Sequence, residues 1–60
     1  MNAIKKARLM KELTQAQVAK MAGIHQQSYS MIEKGHACPK VETAKRIAEV
    51  LEIEWTTFYE

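Results

Sequence analysis

"TQAQVAKMAGIHQQSYSMIEKG", residues 14–35, holds two short helical stretches that meet at Gly23. Thr14 and Gln17 have the spacing of a capping box: the hydroxyl accepts from a backbone N–H, and the glutamine side chain reaches back to the cap. They open a helix over roughly 15–22, with Val18, Ala19 and Ala22 on its inner face. Gly23 ends it, because glycine readily enters the left-handed conformation that a helix C-terminus needs. Ile24 follows as an apolar plug, and a further helix runs from about Gln26 to Lys34 with Tyr29 and Ile32 inward. Gly35 closes it. Neither stretch is long enough to hold as an isolated helix in water. Each needs a body to pack on.

The flanking residues supply that body at helical spacing. Ala3, Ile4, Ala7 and Met10 mark a helix over roughly 2–12. His36-Ala37-Cys38-Pro39 reads as a loop, because Pro39 prevents the preceding helix from continuing. A helix over about 40–51 is expected to bury Val41, Ala44, Ile47, Ala48 and Leu51, and a last short turn over about 55–59 carries Trp55, Phe58 and Tyr59. There is no strand pattern, repeat or linker. The reading is all-α, five compact helical elements in one domain over residues 1–60.

Composition narrows the function. Sixty residues with 47% hydrophobic and 27% charged side chains make a globular chain too small for a deep substrate cleft. A domain of this size buries only about 60% of the surface that its unfolded chain exposes. The lone Cys38 excludes an internal disulfide. No apolar run approaches the roughly 20 residues of a membrane span, and no signal-peptide pattern is present, so a cytoplasmic protein is expected. The net charge of +2 is unevenly spread. Nine Lys and Arg and three Glu before residue 49 give +6, whereas Glu49, Glu52, Glu54 and Glu60 give −4. A basic body favours a polyanionic partner.

Small Ala19, the turn at Gly23 and the plug at Ile24 are what two crossing helices need, and the second of such a pair projects from the surface. The DNA major groove, about 12 Å wide, admits one α-helix. At this point the chain resembles the Cro and phage-repressor family of helix-turn-helix DNA-binding domains, which implies a lambda-repressor-like fold. The resemblance runs through "IKKAR", "LTQAQVAKMAGI", "SYSMIEKG", "P-x-V-E-T" and "RIAEVL". It implies roles for particular residues. Gln15 matches a phosphate-touching position at a helix N-terminus. His25, Gln26, Gln27 and Ser28 open the recognition helix, with Met31 one turn on, and glutamine can pair bidentately with adenine. Lys34, His36 and Lys40 flank the helix as phosphate ligands, which fix register without reading sequence. Arg8 and Glu33 match positions that bridge the first helix to the end of the recognition helix.

The chain also departs from the family pattern. Glu12 and Glu52 stand where a helix-ending glycine is usual, so strained or differently turned corners are expected. His25, Lys40 and Glu54 replace the usual Ser or Thr caps, Met31 replaces a commonly polar residue, and Tyr29 is larger than the usual aliphatic. His36, Cys38 and His25 fall short of the four ligands at recognised spacing that a structural zinc needs, so no metal or cofactor is expected. Ser28, Ser30, His25 and Glu33 lie on a short exposed helix with no pocket to exclude water, which argues against an enzyme.

The expected function is a repressor-type regulator that binds double-stranded DNA at a near-palindromic operator as a homodimer, with no small-molecule ligand evident. The alternative is a protein-interaction module of the same fold, for example one with antitoxin-like partner binding. With the chain ending at Glu60, the dimer surface is expected around Val50, Trp55, Phe58 and Tyr59.

Overall fold

Asn2 starts the first helix by accepting from the Ile4 and Lys5 amides at 2.9 and 3.2 Å. The structure, a computed structural model, describes residues 2–59. Its order is α1 (Ala3–Met10), α2 (Gln15–Ala22), α3 (Gln26–Glu33), α4 (Val41–Leu51) and a 3₁₀ helix (Trp55–Tyr59). The all-α reading holds, with the fifth element 3₁₀ rather than α. The capping box forms as the spacing predicts: the Gln17 amide donates to Thr14 Oγ1 at 3.1 Å, and the Thr14 amide to Gln17 Oε1 at 2.8 Å.

Every α-helix ends in the same device. A left-handed residue is followed by an amide that reaches back five positions: Leu13 to the Arg8 carbonyl past Glu12, Ile24 to Ala19 past Gly23, His36 to Met31 past Gly35, and Ile53 to Ala48 past Glu52. Leu13, Ile24 and Ile53 then tuck against the core, which is the hydrophobic contact that accompanies such caps. At Gly23, with φ +74°, an added Cβ would meet nothing closer than Arg46 Nη1 at 3.9 Å. Backbone conformation, not space, requires the glycine. Glu12 and Glu52 adopt φ 57° without that freedom, so the strained-corner expectation describes both.

α2 packs on α3 and on α4, and α1 and the 3₁₀ helix close over α4. Val18, Tyr29 and Ile47 are fully buried where these elements meet, joined by Ile4, Ala22, Ile32 and Leu51. Tyr29 fills the space under α3 with a ring. Three apolar assignments need correcting, and the first is Ala3, exposed at the first position of α1. Met10 is 76% exposed, because the buried stripe of α1 runs through Ile4 and Arg8, and Met10 lies off it. Val41 is 48% exposed, because it stands at the first position of α4, one turn before the packed face that begins at Ala44.

An L-residue in the left-handed region costs roughly 1–2 kcal/mol, partly offset by the extra freedom that glycine has when unfolded. Glu12→Gly is therefore expected to stabilise the fold by about 0.5–1 kcal/mol, seen as a rise of a few degrees in Tm. Gly23→Ala should lower Tm. Thermal melts of the two variants check both directions.

Candidate nucleic-acid interface

α3 is eight residues long and turns Tyr29, Ile32 and Glu33 to the inside. What remains outward is Gln26, Gln27, Ser28 and Met31, all exposed, with Ser30 half-buried. The inner end is fastened by charge. Arg8 donates from Nε to Glu33 Oε2 at 2.9 Å and from Nη2 to Oε1 at 3.0 Å, with both residues buried. Its remaining Nη1 donates to the Leu13 carbonyl at 2.8 Å, and Gln15 Nε2 donates to Glu33 Oε1 at 3.2 Å. Asn2 donates from its side-chain amide to the Glu33 backbone carbonyl. Glu33 thus ties α3 to α1 and α2 together.

Burial works to raise the Glu33 pKa, but the Arg8 guanidinium, with the Tyr29 hydroxyl and the Gln15 amide lying beside it, outweighs burial and holds the carboxyl below its ordinary value. The bond to Glu33 keeps the Arg8 guanidinium charged. Burial pushes the Tyr29 phenol up, so its hydroxyl stays neutral beside the pair. That hydroxyl is the buried side-chain polar atom among the described residues that lacks a hydrogen-bond partner.

The outward residues lie on two flanks. Gln15, His25, Gln26, Gln27, Ser28 and Ser30 line an open polar groove on the α2 side. His25, Ser28 and Met31 also face a second recess, with Ile24, Pro39 and Lys40, on the side of the following loop. The five residues assigned to base reading therefore share one surface. Of the phosphate candidates, Gln15 and Lys40 border it, whereas exposed Lys34 and His36 line a separate cleft beside Asn2 and Phe58. His25 and Lys40 precede their helices without a side-chain capping bond, which leaves both side chains unengaged at helix N-termini.

The aromatic end of the molecule divides. Val50 and Phe58 pack on the core. Half-buried Trp55 meets Tyr59 edge to face at 6.0 Å, Lys45 Nζ lies 5.1 Å from the Trp55 ring centroid, and Tyr59 donates from its hydroxyl to the Pro39 carbonyl at 2.6 Å. Glu52 pairs with Lys11 across the ends of α4 and α1. Glu60, counted in the acidic tail, lies outside the described residues. Among the described residues no three His, Cys, Asp or Glu gather as metal ligands would, and no helix is long and apolar enough to cross a membrane.

Sequence reading missed the bond from Gln15 to Glu33. Arg8, Gln15 and Glu33 are far apart in the chain, and only the crossing of the helices brings them to one point.

A family profile described as Helix-turn-helix matches residues 4–58, and the chain belongs to that family. A relative in Bacillus subtilis (strain 168), named as the uncharacterized HTH-type transcriptional regulator YqaF, is 47% identical over 57 residues, which span 95% of this chain and 75% of the relative. No solved structure matches the chain.

Removing one partner of a buried pair leaves the other charge uncompensated, at about 3–5 kcal/mol. Arg8→Met and Glu33→Gln are each expected to lose that much in chemical denaturation, a large share of the roughly 3–9 kcal/mol available to a domain this size. Acid should act in the same sense. The folded pKa of Glu33 lies below its unfolded value. Its contribution is therefore complete above about pH 5, and it is lost as pH falls through the folded value. The Glu33→Gln variant should lack that part of the acid dependence.

Proposed function

We propose that this chain is a repressor-type transcriptional regulator that reads double-stranded DNA with α3 and acts as a homodimer on a near-palindromic operator. The observation that carries the reading is the division of labour on α3. Its inner face is held by Glu33 and Tyr29, and its outer face presents amides, a hydroxyl and a thioether that are exposed and, among the described residues, take no side-chain hydrogen bond. Membership of the helix-turn-helix family and the regulator name of the relative support it.

In this reading Gln26 and Gln27 pair with adenine edges, while His25, Ser28 and Met31 complete the base-facing surface. Lys34, His36 and Lys40 bind phosphates. Gln15 does so with the amide N–H that Glu33 does not take. Occupancy of the operator then alters transcription. One recognition helix covers only a few base pairs, so two copies, with their helices about 34 Å apart, are needed to specify a site. Trp55 and Tyr59 offer the apolar edge for that contact, with Val50 and Phe58 beneath, and the acidic Glu49, Glu52 and Glu54 keep this end away from DNA.

Replacing Gln26 or Gln27 by Ala is expected to cost about 1–3 kcal/mol on a selected site and little on random DNA. Equal losses on both would remove these residues from base reading. Lys34 and Lys40 make about four charged phosphate contacts per dimer. Log affinity should then fall with log salt at a slope of about −3.6, a loss of about 10²-fold between roughly 50 and 200 mM. A protein-interaction module would bind DNA hardly at all.

Assembly is tested by sedimentation of the free protein and of its operator complex. The expectation is a weak dimer that forms largely on DNA and gives a two-fold footprint. One chain per full site, with an asymmetric footprint, would end the dimer proposal.

A further inference from the structure

The two flanks of α3 differ in chemistry. The flank facing α2 is polar throughout, lined by glutamine, serine and histidine side chains. On the opposite flank, Ile24, Met31, Ala37 and Pro39 make an apolar recess between α3 and the loop before α4, with Ser28 and Lys40 also lining it. Met31 is 44% exposed there and sits one turn beyond Gln27 on the outward line of the helix.

We propose that this recess receives the 5-methyl group of a thymine, and that Met31 sets a thymine requirement in each operator half-site. The inference deepens the DNA-reading function above and rests on it. In the major groove the bases present hydrogen-bonding edges, and the C5-methyl of thymine is the apolar group among them. An apolar recess next to adenine-reading amides matches that group. The thymine opposite an adenine read by Gln26 or Gln27 shows its methyl in the same groove. The recess adjoins the polar groove that holds Gln26 and Gln27, because His25 and Ser28 line both. Lys40 in its lining supplies a cation where the adjoining backbone phosphate would pass, which favours a nucleic-acid occupant over an apolar peptide. The unbranched thioether of Met31 can adjust its three side-chain torsions to meet a methyl group.

The test begins with sequences selected from a random DNA pool by the wild-type chain. Each thymine of the selected site is then replaced singly by deoxyuridine, which removes the methyl and keeps the Watson–Crick pair. Affinity should fall about fourfold, the worth of one buried methyl, at one thymine per half-site and stay level at the others. Met31→Gln should flatten the difference at that position, so that thymine and uracil bind alike. A flat uracil scan on DNA that the wild type selects would overturn the inference and leave the regulator reading standing. An undiminished uracil penalty in Met31→Gln would also overturn it. Failure of the wild type to select any sequence would instead bring down the DNA-reading function, and this inference with it.

Discussion

Arg8 and Glu33 meet in a two-point hydrogen-bonded pair beneath α3, and three segments take their mutual orientation from it. α1, α2 and α3 are each eight residues long, too short to persist alone. Apolar burial holds them together, but it is non-directional and would tolerate rotation of a two-turn helix about its axis. A guanidinium fork on a carboxylate does not. Glu33 also stands at the C-terminal end of α3, where the helix dipole disfavours a negative charge. Arg8, the Gln15 amide and the Asn2 contact make that placement stable.

Rotational registry decides which side chains of α3 face out. On a helix of this length a turn of one residue would bring Tyr29 or Ile32 to the surface and bury Gln27 or Met31. The lock on Glu33 fixes the polar flank toward α2 and the apolar flank toward the Ala37–Pro39 loop. The backbone beneath the outward surface is thus set by intramolecular bonds.

Much of this was legible in the chain. Thr14 and Gln17 announced a cap that forms as written, Gly23 announced a left-handed turn, and Val18, Ala22 and Tyr29 announced the inner faces. These are local signals, set by chemistry within one turn. Reading went astray where burial depends on what lies across the gap. Met10 has the apolarity of a core residue, but the stripe of α1 passes through a charged arginine instead, which a periodicity of apolar residues does not register. Val41 lies one turn before a packed face rather than within it. The Gln15 amide has nothing local to mark its bond to Glu33, which depends on two helices meeting 18 residues apart in the chain. The outer residues of α3 were locatable by position, yet the contrast between its flanks depends on a loop that folds back from later in the chain.

The corners at Glu12 and Glu52 repeat the geometry of Gly23 and Gly35 with the wrong side chain for it. In the genetic code, either glutamate codon becomes a glycine codon by a single transition. Glu12 is exposed and lies on neither α3 nor the core. The chain therefore stands one base change from a firmer fold, at a position outside the proposed DNA-reading surface. Mutations on α3 that cost stability would have a compensating change within easy mutational reach, and the outer face of α3 could then vary without loss of the fold.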